Sequence, residues 1–516
     1  MQITTVRDRI NTMLDNTERS FMMMSLPQIE SWLLNAANII RGPVDPSDYK
    51  AYIFPLLFFK RISDVYEEEY AQALEESNGD IEYAEFEENH RFIIPKGCRW
   101  SDLQAKTNNI GAAISSIFRR IELANRKTLS GIFGDVEWKN KDKLSDERLK
   151  NLVEHFSLHN LSIKSVEPDM AGRAYEYLIK RFADKTNKKA GEFYTPRSIV
   201  KLMTLILDPS EGESVYDPAC GTGGMLLQAL AHVKDKGQDI RTLELYGQER
   251  NLTTSAIARM NLIIHGLEDF DIERGDTLRN PIFRNRNQLA TFDCVIANPP
   301  FSLKKWGIEV WEHDKWKRNE YGIPPASYGD FAWVQHMLKS MAPATGRLAV
   351  VVPHGVLFRK GSEQTIREQL IEKDKIEAII GLADNLFYGT NLAACILVLK
   401  HRKQADRHRK VLFIDASTIY KPQRAQNILE DEHVTHIFEL YNQFKDIPHI
   451  ARVVTQDEIK QNDCNLSISL YIKKEDTKVI LTLDGAVLNL RNAINMSKAA
   501  DEVLNRKLVG IGVIEQ

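Results

Sequence analysis

Cysteine is scarce and scattered in this 516-residue chain: Cys98, Cys220, Cys294, Cys395 and Cys464, with no C-x-x-C pair among them. The odd count and wide spacing argue against a disulfide framework and against a structural zinc site; no metal is expected. Long apolar runs are missing too. The longest near the start, residues 53–59, contains Pro55 and falls far short of the roughly 20 residues a membrane helix requires. The opening residues mix Arg7, Asp8, Arg9, Asp15, Glu18 and Arg19 with no apolar core, so a secretory signal is not expected and a cytoplasmic location is. An excess of either charge is absent, since 68 Lys and Arg stand against 71 Asp and Glu, for a formal net charge of −3. Gripping phosphates over a whole surface needs clustered cations, so any contact with nucleic acid must be local or shared with a partner. There is no G-x-x-x-x-G-K-[ST], which excludes P-loop ATP hydrolysis.

What is present is an ordinary globular composition, 43% hydrophobic and 27% charged, in a chain long enough for roughly two or three folding units. After an N-terminal extension, 1–27, residues 28–180 read as a helical domain: Ile29, Trp32, Leu33, Ala36, Ala37 and Ile40 fall on one helical face. Gly42-Pro43-Val44-Asp45-Pro46 breaks that helix, and helical spacing resumes over 49–59 around Pro55. A polar, basic stretch, 181–191, suits an exposed loop or a nucleic-acid contact. From there to 470 short β-branched runs at 214–216, 243–247, 292–297, 348–352, 376–380 and 395–399 alternate with helical segments. That alternation predicts an α/β, Rossmann-like, doubly wound parallel sheet. Residues 471–516 form a helical tail, in which Leu483, Val487, Leu490 and Ile494 share a face for packing or for a partner.

The chemistry concentrates at two strand ends. Strand 214–216 runs into Asp217-Pro218-Ala219-Cys220-Gly221-Thr222-Gly223-Gly224. Glycines at a strand-to-helix turn let backbone amides approach a ligand, at the edge where open α/β sheets bind cofactors. The next strand ends in Glu249, placed to accept hydrogen bonds from both hydroxyls of a ribose. Asp276, after a short strand at 271–273, is a candidate acceptor for the amino group of an adenine ring. Upstream, Glu192-Phe193-Tyr194-Thr195-Pro196-Arg197 precedes a helix over 198–207, with Thr195 as N-cap and Pro196 in the first turn. Amides and dipole at that start suit the carboxylate of a methionine-bearing nucleoside, with Phe193 or Tyr194 covering it.

The second strand end is Asn298-Pro299-Pro300-Phe301, following the run 293–297. Methylating an aromatic amine requires gripping its two N–H protons, because the nitrogen lone pair is delocalised into the ring. The side-chain oxygen of Asn298 and the carbonyl of Pro299 can accept one each, Pro300 stiffens the loop, and Phe301 offers a face to a flipped base. No Pro-Cys dipeptide occurs, so the covalent route used for ring-carbon methylation is not supported.

At these motifs the sequence resembles the amino-methyltransferases of DNA in which lid, glycine loop and catalytic tetrapeptide follow in that order. Within them it closely resembles the modification subunit of type I restriction-modification systems, an N6-adenine DNA methyltransferase family. The likeness extends from Trp32 and Phe58-Phe59-Lys60-Arg61-Ile62-Ser63 to Asn465-Leu466-Ser467-Ile468-Ser469-Leu470-Tyr471. It departs at Ser469-Leu470, where similar proteins often carry an arginine before the tyrosine. The resemblance implies methylation at adenine N6 with S-adenosyl-L-methionine as cofactor. It also implies double-stranded DNA as substrate, a specificity subunit that reads it, a second modification subunit, and a restriction subunit acting as nuclease and translocase.

Only residues 302–327 separate the tetrapeptide from the next helical stretch, too few for a large DNA-reading insert. Trp306, Trp311 and Trp316, with Lys304, Lys305, Lys315, Lys317 and Arg318, either touch DNA or pack on their own domain. Two other readings compete with DNA methylation: a protein or RNA amino-methyltransferase, and an assembly module that kept the fold without turnover.

Overall fold

The predicted apolar stripe is the buried face of helix Leu26–Ile39, where Ile29, Trp32, Leu33, Ala36 and Ala37 are enclosed. Ser25 and Gln28 close a reciprocal cap on its first turn. The computed structural model describes residues 25–185, 195–387, 392–424, 426–473 and 483–510. Helix Tyr49–Glu76 continues straight through Pro55, and its buried residues from Tyr49 to Tyr66 form the axis of the helical region. Aromatic rings fill the space around it. Phe118 and Phe133 stack at 3.9 Å, and Phe59 packs between Trp100 and Phe118.

The polar residues inside the Phe58 to Ser63 motif have structural partners. Lys60 pairs with Asp64, and the Asp64 carboxylate also accepts the Leu161 amide at 2.7 Å. Arg61 donates to the carbonyls of Leu161, Ser162 and Val166. Three buried charges thereby hold the loop that leads into helix Pro168–Lys185.

The α/β region contains β1 (Ser214–Asp217), β2 (Glu244–Glu249), β3 (Asp271–Arg274), β4 (Arg284–Asn285), β5 (Gln288–Leu289) and β6 (Cys294–Ala297). It continues with β7 (Arg347–Pro353), β8 (Ile376–Gly381), β9 (Ala394–Lys400), β10 (Lys410–Asp415) and β11 (Ala451–Thr455). Nine of them form one sheet in the order β11-β10-β8-β9-β7-β6-β1-β2-β3, while β4 and β5 make a separate hairpin. The sheet is mostly parallel, with two exceptions to the all-parallel expectation. β9 runs antiparallel between β7 and β8, and β11 runs antiparallel on the edge beside β10.

Successive residues of each central strand enter opposite layers. Val215, Ile296 and Ala349 pack beneath helices Arg197–Leu207, Gly224–Asp235 and Asp431–Gln443. Tyr216, Val295 and Leu348 face helices Asp330–Lys339 and Ser362–Glu372. At β1 the connections diverge, with β2 and β3 on one side and β6 on the other. The loops after β1 and β6 therefore flank an open crevice at the carboxyl edge of the sheet.

Of the two readings of residues 302–327, packing prevails for the first two tryptophans. Trp306 and Trp311 are 2% and 0% exposed and cluster with Leu278, Ala332 and Trp333. Arg318 is buried as well, paired with Asp314 at 2.7 Å and lying over the rings of Trp311 and Trp316.

The helical region docks on helix Leu252–Ile264, whose Ile257, Met260 and Ile264 belong to its core. From the same helix Arg259 donates to the carbonyls of Ser130 and Thr128, at 2.6 and 2.5 Å. Gly172, inside helix Pro168–Lys185, lies directly against the His265 ring, where a Cβ has no room.

Residues up to Ile472 form one compact unit and Lys473–Gln516 a second. The second contains helix Leu483–Gly510, on which Val487, Leu490 and Ile494 of the expected stripe are exposed, as are Leu488 and Met496. Among the described residues no helix is long and apolar enough to cross a membrane.

One glycine tests the helical packing. Gly111, in helix Ile110–Ala124, is buried against the backbone carbonyl of Trp138, which occupies the place a Cβ would take. Gly111→Ala should destabilise the chain by about 3 kcal/mol, the upper range for overpacking, because backbone rather than a flexible side chain must move. A denaturant midpoint equal to that of the unaltered chain would show that the two segments separate freely.

Candidate active site

The glycine loop takes its shape from positive backbone angles that side chains disfavour. Gly221 and Gly223 have φ of +53° and +81°, and Gly223 caps helix Gly224–Asp235 while its amide donates to the Cys220 carbonyl at 2.8 Å. A Cβ on Gly223 would also press on Leu262 at 3.3 Å. The loop is tied to the tip of β2 by Glu249, whose two carboxylate oxygens accept the amides of Gly221 at 3.1 Å and Asn251 at 2.7 Å. Thr277, beyond β3, adds a 2.6 Å bond to the Pro218 carbonyl.

Of the two carboxyls at the loop, Asp217 is buried and Glu249 half-buried. Asp217 is 2% exposed, and burial pushes its pKa up to about 8; the Ala219 amide opposes the rise and the nearby Glu249 adds to it. Burial also raises the pKa of Glu249, against the amides of Asn251, Gly221 and Arg250 and the charge of Lys50. Lys50 belongs to helix Tyr49–Glu76, so the helical region reaches this site electrostatically.

β6 delivers Asn298 to the same crevice. Its Nδ2 donates to the Thr195 hydroxyl at 3.0 Å, while its Oδ1 is buried without a partner. This corrects the expected cap: Pro196, not Thr195, is the N-cap of helix Arg197–Leu207, and no side chain bonds to the free amides there. The amide of Asn298 engages the Thr195 hydroxyl instead. The Pro196 carbonyl accepts from Ile199 and Val200, and Arg197 pairs with Glu176. Phe301 is half-buried, edge-on to Phe387 at 5.9 Å.

One cavity gathers Thr195, Arg197, Asp217, Gly221, Thr222, Gly224 and Asn298. Gly223, Glu249, Pro196, Pro299, Pro300 and Phe301 are not among the residues that line it. Asp276 does not line this cavity either; it lies 3.6 Å from Arg250 and 3.8 Å from Arg279, and it accepts the Arg279 amide. Glu192, Phe193 and Tyr194 lie outside the described residues.

Several lining residues escaped the sequence reading. Asp169, Arg173 and Glu176 form a wall on helix Pro168–Lys185, and their spacing on one helical face was a visible signal. Asn261 is another: it is 1% exposed, donates to the Thr222 carbonyl at 2.9 Å, and leaves its Oδ1 unpaired. A lone asparagine in the apolar run of helix Leu252–Ile264 could have marked it.

A glycine loop and an asparagine at neighbouring strand ends suit many nucleoside enzymes, so similarity decides the family. The model of the N-6 DNA methylase family matches residues 166–479, and that of the HsdM N-terminal domain matches 29–156. The chain belongs to the N-6 DNA methylases. Its place within them is among the methylase subunits of type I restriction enzymes. It is 34% identical over 471 residues to the MjaVII methylase subunit of Methanocaldococcus jannaschii, covering 85% of this chain and 77% of that one. The HindI methylase subunit of Haemophilus influenzae is 29% identical over 81% of this chain and all of its own length. Among solved structures, the methyltransferase subunit of the type I system of Streptococcus thermophilus superposes with a TM-score of 0.76. It is 30% identical, over 87% of this chain and all of that one. This N-6 DNA methylase is therefore a DNA methyltransferase of the type I class.

The Asp217 carboxyl gives the ligand-free methylase a distinct pH dependence. Its folded pKa of about 8 lies above the ordinary aspartate value of 3.8, so between the two the folded state holds a proton that the unfolded state has released. Its contribution is complete below the lower value and is lost as pH rises through about 8. Asp217→Asn should flatten the fall in melting temperature across that interval. An unchanged slope would mean that Asp217 is ionised in the folded chain.

Proposed function

We propose that this chain moves the methyl group of S-adenosylmethionine to the N6 amine of an adenine flipped out of duplex DNA. The observation that carries the reading is the buried, unpartnered Oδ1 of Asn298 in the cavity that also contains the glycine loop. An acceptor left unsatisfied is costly unless a ligand donates to it. Asn261 contributes a second such oxygen, and both suit a ligand rich in N–H and O–H groups.

The amides of Gly221 to Gly224 fit the cofactor's nucleoside, Glu249 its ribose and Asp276 its adenine amine. The helix start at Thr195, Pro196 and Arg197 fits the amino-acid end, and Glu192, Phe193 and Tyr194 are assigned to cover it. When bound, the sulfonium supplies an electrophilic methyl group. Asn298 Oδ1 and the Pro299 carbonyl each accept one N–H of the target amine, turning its nitrogen lone pair toward that methyl. Asn298 is itself oriented by the Thr195 hydroxyl. Pro300 keeps the loop extended, and Phe301, braced by Phe387, stacks on the base. Catalysis rests mainly on positioning, since the attacking amine needs no covalent activation.

The same reading divides the chain into an extension (1–27), a helical domain (28–180), the methyltransferase domain (181–470) and a tail for subunit contact (471–516). A specificity subunit reads the DNA, a second modification subunit completes the methylase, and a restriction subunit joins for cleavage. Support comes from the type I relatives, the inward packing of Trp306 and Trp311, and the exposed stripe at Val487, Leu490 and Ile494.

Asn298→Ala should abolish methyl transfer and leave cofactor affinity near that of the parent. Glu249→Ala should instead weaken cofactor binding by about 1.5–3 kcal/mol, the worth of a charged acceptor. Calorimetric titration with the cofactor, paired with a methyl-transfer assay, separates the two; the reverse pattern would overturn the assignment.

Purified alone, the chain should bind cofactor yet discriminate little between target and scrambled duplexes, and should gain discrimination on addition of its specificity subunit. Specific complexes bind about 10³–10⁷ times tighter than non-specific ones, so fluorescence anisotropy at fixed salt resolves the difference. Strong discrimination by the isolated chain would place the reading domain within it.

A further inference from the structure

Both prolines of Asn298-Pro299-Pro300-Phe301 have fixed φ, and each restricts the residue before it. The remaining backbone freedom of this loop therefore sits at the ψ of Pro300 and at Phe301 and Ser302. Ser302 has φ +50°, a left-handed conformation that a residue with a side chain disfavours. Something must hold it there, and the bond is specific: the Ser302 amide donates to Asp330 Oδ1 at 2.7 Å. One residue on, the Leu303 carbonyl accepts the Gly329 amide at 3.1 Å.

Asp330 opens helix Asp330–Lys339 and is 2% exposed. Its second oxygen meets Arg359 Nη1 at 3.1 Å, which also bonds the buried Glu363 at 3.2 Å. The guanidinium lies over the Tyr328 ring at 4.1 Å, and Gly355 leaves the room it needs. Asp330 is thus a buried carboxylate paired with an arginine that is itself held on three sides. A charged acceptor makes the bond to Ser302 stronger than a neutral one would be.

We propose that Asp330 is a positioning residue for methyl transfer: it pins the left-handed turn at Ser302 and so fixes where Phe301 and the Pro299 carbonyl present themselves to the base. The inference rests on the reading of Asn298 to Phe301 as the catalytic loop. Asp330 acts through backbone geometry and touches neither substrate nor cofactor.

The test uses the full chain assembled with its specificity subunit, measuring kcat for methyl transfer and, separately, cofactor affinity. Asp330→Ala should lower kcat about 10- to 100-fold, as loss of a charge-assisted bond implies, with cofactor affinity unchanged. Asp330→Asn, which preserves shape and one acceptor oxygen, should lose less. Adding Ser302→Gly to either variant should restore part of kcat, because glycine adopts the turn without help. A merely structural role for Asp330 at the helix start would not respond to a change at Ser302. Parental kcat in both Asp330 variants, or a loss that Ser302→Gly does not relieve, overturns the proposal. An inactive parental complex would instead overturn the underlying reading and leave its mark on every variant alike.

Discussion

The site depends on one constraint, the divergence of connections at β1. Because β2 and β6 flank β1 and the chain leaves toward opposite sides, the strand ends of β1 and β6 leave an opening between them. The crevice is a consequence of topology before any side chain is chosen. The glycine loop and Asn298 then need only follow their strands to meet in it. Glu249 ties the two nearest strand ends together by accepting the Gly221 amide from the neighbouring tip.

Topology opens the crevice, but the α/β region does not close it alone. Helix Pro168–Lys185 supplies a charged wall to the cavity while its Ala174, Tyr175, Leu178 and Phe182 belong to the helical core. The contact between Gly172 and His265 and the two bonds from Arg259 make that wall part of a fixed interface. Burial of polar groups follows the same economy. Arg61 and Arg318 each serve several acceptors at once, which keeps their donors satisfied where water is excluded.

The sequence exposed what depends on local pattern and concealed what depends on distant neighbours. Apolar alternation marked β1, β2, β6, β7 and β8 and the helices between them, and glycine spacing marked the loop that lines the cavity. The direction of β9 was hidden because alternation is the same in either orientation. β10 and β11 escaped as the edge of the sheet, beyond the last recognised strand. Thr195 looked like a cap since its residue type and place before Pro196 allow it, whereas its partner Asn298 lies more than a hundred residues away. Trp306 and Trp311 were ambiguous because aromatic residues beside lysines serve either a nucleic acid or a core. Asp169, Arg173 and Glu176 had a legible face but no legible counterpart.

The wall at Asp169 to Ile179, the loop at Asp217 to Gly224 and the side chain of Asn298 enter the cavity from three separated stretches of chain. During translation the wall emerges first, packed against helices already made, and the acceptor at Asn298 emerges last of the three. A growing chain that stalls before β6 has a glycine loop without Asn298 across the cavity and a β1 lacking its neighbour on one side. The cavity is in this way complete only once the centre of the sheet has formed.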